Sequence, residues 1–156
     1  MRIAATALAV LLLSATGACA QPAQPDPTAF MAQNALAEGV HVLPSGVQYK
    51  VLKSGPATGA HPTPDDQITV NYEGALLNGQ IFDSSYKRGK PATFQLGGLI
   101  PGWIEALQQM RPGDEWIVYV PPSQGYGAEP KGPIPGNSLL VFRLELLAIG
   151  GAPAAG

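Results

Sequence analysis

The sequence predicts an α+β domain, an antiparallel sheet of about five or six strands with one amphipathic helix across one face. Three observations carry this. Val47, Tyr49 and Val51, then Ile68, Val70 and Tyr72, then Leu140, Phe142, Leu144 and Leu146 recur at every second position, the period of a half-buried strand. Asn78-Gly79 lies between two apolar runs, a strong hairpin signal. Trp103, Leu107 and Met110 fall at i, i+4 and i+7, one face of a helix.

Taken in order, the chain opens with a leader. Met1-Arg2 is a short positive start, residues 3–13 are apolar, and Ala18-Cys19-Ala20 is a small-residue site. Residues 1–20 therefore read as a signal peptide cut after Ala20, which implies a periplasmic or secreted protein. The apolar run is too short to span a bilayer comfortably. Cys19 keeps a rival open, because the pattern resembles a lipoprotein leader that would anchor the chain through that cysteine. Thr16 departs from that pattern, which usually has a leucine-like residue there.

Residues 21–42 read as a Pro-rich linker and a short helix. Residues 21–27 form a stiff, extended spacer. Asp26 suits an N-cap, Pro27 the first helical position, residues 29–38 a helix, and Gly39 its stop. A helix of about ten residues is marginal alone and must dock on something.

Residues 43–149 hold the domain. Strands are expected around residues 47–53, 68–73, 75–77 and 80–82, with a short one at Thr93-Phe94-Gln95-Leu96. Pro101-Gly102 opens the helix that carries Trp103, and Arg111-Pro112-Gly113-Asp114 ends it. Residues 116–120 form a strand, 121–137 a long Gly- and Pro-rich loop, and 139–149 the last strand. Residues 150–156 read as a flexible tail.

Composition narrows the function. A chain of 156 residues with 13% charged residues suits one domain with a real core. Without the leader, eight basic residues face eleven acidic ones, a net charge of −3. Such a scattered, mildly acidic balance has no electrostatic footprint for nucleic acid. Loss of Cys19 with the leader leaves no cysteine, which excludes disulfides and thiol catalysis. His41 and His61 are far apart with no acid cluster beside them, so no metal site is expected. There is no Gly-x-Ser-x-Gly elbow and no phosphate-cradling loop opening a helix. No cofactor is expected.

Five motifs then occur in order: Val70-Asn71-Tyr72-Glu73-Gly74, Gly79-Gln80-Ile81-Phe82-Asp83-Ser84-Ser85, Ile100-Pro101-Gly102-Trp103, Gln124-Gly125-Tyr126-Gly127, and Ile134-Pro135 with Leu140-Val141-Phe142. Together they resemble the FKBP-type peptidyl-prolyl cis-trans isomerases. The entry Leu43-Pro44-Ser45-Gly46-Val47-Gln48-Tyr49 resembles the exported bacterial members related to macrophage infectivity potentiator. The resemblance implies a curved antiparallel sheet wrapped on the short helix, with a pocket between them under the long loops. It implies pocket walls at Tyr72, Phe82, Asp83, Ile100, Trp103, Tyr126, Ile134 and Phe142, and a basic partner for Asp83 at Arg88. Ala92, the short Gly97-Gly98 link and Gly136 depart from common usage in the family and bear on substrate preference. The implied partners are proline-containing unfolded or exported polypeptides, and macrolide-type inhibitors. Too few helix-forming residues precede the domain for an independent dimerising unit, so the chain reads as a monomer.

That activity needs no nucleophile. Rotation about an Xaa-Pro bond faces a barrier of ~18–20 kcal/mol, and no bond breaks. The twisted amide is less charge-separated than the planar one, so a dry aromatic pocket favours it over the ground state. By the resemblance, Asp83, Phe82, Trp103 and Tyr126 act on the rotating bond, while Tyr72, Ile100, Ile134, Phe142 and Arg88 bind or brace. Trp103 suits a floor under the proline ring, and the Tyr126 hydroxyl and the Ile100 N–H suit donors to substrate carbonyls. Asp83 either meets the rotating carbonyl or braces Tyr72 and Arg88; alone it also reads as an ordinary turn residue. Two alternatives use the same cavity, a non-catalytic chaperone or peptide-binding module and a carrier of small apolar ligands.

Overall fold

A computed structural model describes residues 25–150. The expected signal peptide with its cleavage site, Cys19, the spacer up to residue 24 and residues 151–156 of the tail lie outside the described residues.

The sheet has seven antiparallel strands, one more than the higher expectation. They are β1 (Val40–Val42), β2 (Gln48–Lys53), β3 (Gln67–Leu76), β4 (Ile81–Ser84), β5 (Ala92–Gln95), β6 (Glu115–Val120) and β7 (Leu140–Ile149). Their order is β1-β2-β6-β7-β3-β4, and β5 also pairs with β3. The added strand, β1, falls in the stretch read as linker and helix, and its three residues pair with Gln48, Tyr49 and Lys50 of β2.

β3 is the spine of the site. One edge pairs with β7 along its whole length. Its other edge serves β5 from Gln67 to Val70 and β4 from Glu73 to Ala75. The Asn78-Gly79 hairpin forms as expected. Leu77, Asn78 and Gly79 make the loop, the Asn78 side chain accepts from Gln80 N at 2.9 Å, and Gly79 takes φ +87, a conformation that favours glycine.

The alternation read in β7 is the core. Leu140, Phe142, Leu144 and Leu146 are all buried, facing Val118, Val120, Ile68 and Val70 from neighbouring strands. Against this face lies α3 (Pro101–Leu107), following α1 (Pro27–Asn34) and a one-turn α2 (Ser85–Arg88). Trp103, Ala106 and Leu107 are buried, and so is Met110 in the turn just past the helix. The predicted apolar stripe therefore covers the core, although the helix stops one turn early.

α1 begins as the sequence indicates. Asp26 accepts from Thr28 N at 3.0 Å and Pro27 opens the helix. It ends at Asn34, earlier than expected, and Leu36 beyond it is 87% exposed. Gln48, which lies between the apolar Val47 and Tyr49, is only 4% exposed. Its Nε2 donates to the Met31 carbonyl at 2.8 Å, and its Oε1 accepts from Asn34 Nδ2 at 2.9 Å. This side chain docks the end of the helix on the sheet, with help from a Phe30–Tyr119 ring contact at 5.9 Å.

Candidate active site

A cavity of about 180 Å³ opens between α3 and the sheet, lined by Tyr72, Phe82, Asp83, Phe94, Leu99, Ile100, Trp103, Tyr126 and Phe142. Seven of the nine residues expected at the site are among these. Ile134 is buried in the core cluster but does not line the cavity. It lies in the long loop, tied to Lys131 by reciprocal backbone hydrogen bonds of 2.9 Å. Arg88 stands behind Asp83. Phe94 and Leu99 are lining residues that sequence reading missed.

Trp103 forms the floor. Pro101 fixes the first helical position of α3, which places Trp103 in its first turn, facing the sheet. The indole meets Tyr72 at 5.1 Å, Phe142 at 5.1 Å and Phe94 at 6.0 Å, all edge-to-face. Such contacts are worth about 0.5–1.5 kcal/mol each beyond area burial and fix the ring's orientation. Phe82 completes the wall, edge-on to Phe142 at 5.7 Å. The Trp103 Nε1 is buried and has no hydrogen-bond partner among the described residues.

The polar side of the cavity is built by the sequence Asp83-Ser84-Ser85-Tyr86-Lys87-Arg88. Ser84 ends β4 and caps α2, accepting from Lys87 N at 3.3 Å. The buried Ser85 hydroxyl accepts from Tyr72 N at 2.8 Å, pinning β3 at the point where β4 leaves it. One helical turn then brings Arg88 back onto Asp83. Arg88 Nη1 donates to Asp83 Oδ1, and the Tyr72 hydroxyl donates to Asp83 Oδ2. Arg88 Nη2 closes the triangle, donating to the Tyr72 oxygen at 2.9 Å.

The charges follow. Burial pushes the Asp83 carboxyl up, but hydrogen bonds from Tyr72 and Arg88 and the Arg88 charge outweigh it, so its pKa lies below the ordinary value. Burial, reinforced by the hydrogen bond to Asp83, raises the Tyr72 phenol. Burial and the Asp83 charge raise Tyr126. At neutral pH the site holds one carboxylate and two neutral phenols.

Two donors are left over. The Ile100 N–H and the Tyr126 hydroxyl make no hydrogen bond among the described residues. Ile100 is the N-cap of α3, whose first amides have no carbonyl partner within the helix. Tyr126 follows a single 3-10 turn at Pro122–Gln124 and enters from the long loop. The arrangement offers apolar walls, two free donors at the cavity, and a carboxylate with both oxygens engaged by its own neighbours.

Comparison with known proteins places this geometry. A model of the FKBP-type peptidyl-prolyl cis-trans isomerase family matches residues 58–147, and one of the domain amino-terminal to such isomerases matches residues 12–51. The chain is 50% identical to the peptidyl-prolyl cis-trans isomerase Mip of Coxiella burnetii over 122 residues, covering 78% of this chain and 52% of that protein. It is 48% identical to the outer membrane protein MIP of Legionella longbeachae, with the same two coverages. The chain thus spans about half the length of these relatives. Among solved structures, FkpA from Escherichia coli superposes with a TM-score of 0.76 at 38% identity, over 81% of this chain and 59% of that one. A peptidyl-prolyl cis-trans isomerase from Pseudomonas syringae pv. tomato superposes at 0.74 and 37% identity, over 80% of this chain and 91% of that one.

Proposed function

This chain belongs to the FKBP-type peptidyl-prolyl cis-trans isomerase family, and on that premise we propose that it accelerates rotation of Xaa-Pro bonds in exported polypeptides. The carrying observation is a small cavity walled by six aromatic rings and served by two donors that are unpaired among the described residues. The proline ring rests on Trp103, and Phe82, Phe94 and Phe142 keep the bond dry. Losing water costs the planar, charge-separated amide more than the twisted one, so the barrier falls. The Ile100 N–H and Tyr126 hydroxyl hold substrate carbonyls so that only the Xaa-Pro bond turns. Asp83 is a brace in this reading. It keeps the Tyr72 ring upright and makes no covalent contact with substrate.

Residues 43–149 form the catalytic domain, and the chain acts as a monomer in the periplasm after cleavage at Ala20. Among the described residues no helix is long and apolar enough to cross a membrane. Intact mass of the exported protein decides the leader, since a chain starting at Gln21 removes the lipid anchor at Cys19. By resemblance to the family, macrolide-type inhibitors would bind over the same cavity and compete with peptide.

Magnetisation-exchange NMR on an Xaa-Pro peptide tests the activity. The cis-trans exchange rate should rise in proportion to protein concentration. An unchanged rate at saturating peptide overturns the proposal.

A further inference from the structure

Among the described residues, a cation without an ion pair lies beside a ring that lines the cavity. Arg88 is consumed by Asp83 and Tyr72, and Arg143, the other paired cation, bonds Glu115. Lys131 is exposed in the long loop, and its ammonium lies 5.5 Å from the centroid of the Tyr126 ring. No carboxylate stands within ion-pair distance of it among the described residues. Its backbone, meanwhile, is fixed by the two hydrogen bonds to Ile134, whose side chain is anchored in the core. A charge on a flexible stem is thus held by a pinned backbone beside Tyr126, whose ring lines the cavity. The nearby negative charge, Asp83, already has its own counter-ion.

We propose that Lys131 determines specificity, selecting substrates that carry a carboxylate, Asp or Glu, beside the isomerised proline. The inference rests on reading the cavity as the proline site. A peptide seated there passes under Tyr126, so an acidic side chain next to the proline comes within reach of the ammonium. The attraction acts at a solvent-exposed rim, so it is modest and screened by salt. It favours association more than the rotation itself, so it appears in KM and leaves kcat nearly constant.

The test uses the whole mature protein and paired peptides that differ only by Glu or Gln beside the proline, placed before it in one pair and after it in the other. For wild type at low ionic strength, kcat/KM should favour Glu by about two- to fivefold in at least one pair. The ratio should approach one in about 0.5 M salt. Lys131→Gln should bring it to one at low salt, Lys131→Glu should invert it, and Lys131→Arg should keep it. The side chain is exposed and its backbone bonds are unaffected by substitution, so these variants fold. Equal rates for Glu and Gln in wild type, or a preference that survives Lys131→Gln, overturns the inference. NMR titration of the same peptides gives the affinity ratio independently of turnover. A salt-sensitive, Lys131-dependent affinity ratio without any rate acceleration supports this inference while overturning the isomerase reading.

Discussion

Gly74 pairs directly with Phe142 across the β3–β7 ladder, and the lack of a side chain there makes room for the aromatic wall. A Cβ at Gly74 would lie 2.7 Å from Phe142 Cε1 and 2.6 Å from Phe82 Cζ. The two rings meet edge-on over this glycine, Phe142 buried and Phe82 half-buried.

Gly74→Ala should therefore damage the site from beneath, by pushing on two wall rings without altering either of them. Overpacking of this kind costs about 1–3 kcal/mol, and the rings must separate to relieve it. We expect that loss in urea unfolding, together with a fall of about tenfold or more in kcat/KM as the wall is displaced. Native stability and rate would show that the Phe82–Phe142 contact has slack.

The brace predicts different outcomes for two substitutions at Asp83. Asp83→Ala removes the partner of both Tyr72 and Arg88. Both Asp83 and Arg88 are over 40% exposed, so the stability loss should be only about 1 kcal/mol after screening. The rate should fall further than that, because the Tyr72 ring that flanks Trp103 is released. Asp83→Asn keeps an acceptor for the Tyr72 hydroxyl and should retain more activity. Equal, large losses in both variants would instead assign the carboxylate charge to the chemistry.

The pH dependence has a definite sign. The folded pKa of Asp83 lies below its ordinary value of 3.8. Its contribution to stability is therefore complete above that value and is lost as pH falls through the lower folded value. Tyr72 and Tyr126 are raised above 10.0, so both stay protonated through the neutral range. With no titrating group in use, kcat/KM should be flat from about pH 5 to 9. A bell-shaped profile centred in that window would point to acid–base catalysis.

Gln48 tests the docking of α1. Gln48→Ala strips a hydrogen bond from the Met31 carbonyl and a partner from Asn34. We expect a loss of about 1–2 kcal/mol, with hydrogen exchange quickening first in residues 27–34. Exchange that quickens evenly over the whole sheet would argue against a local role.

Much of this was legible before the structure, and the misses have physical causes. Period alone located β7, and helical spacing placed Trp103, Leu107 and Met110, because a buried face demands a repeat. The ordered motifs pointed to Tyr72, Phe82, Asp83 and Tyr126. The burial of Gln48 is invisible to alternation, which takes a polar residue to face water, whereas a helix end satisfies it inside. β1 was missed because three residues carry no period and need β2 to exist. Phe94 and Leu99 depend on how β5 leans on β3, which no local pattern encodes. Ile134 is anchored in the core, so the loop meets the cavity with Tyr126 instead.

The position of β7 governs when the site can exist. It is the last strand among the described residues, yet it lies in the middle of the sheet, between β6 and β3. Until it is inserted, β3 and β6 have no common neighbour, Phe142 is missing from the wall, and Trp103 has lost one of its three supporting rings. Pairing of strands so distant in sequence is slow, because the loop between them must close before any contact repays it. A nascent chain thus carries every other part of the pocket for some time with no pocket at all. Synthesis of β7 is the event that assembles it, so a product truncated before Leu140 has no such cavity.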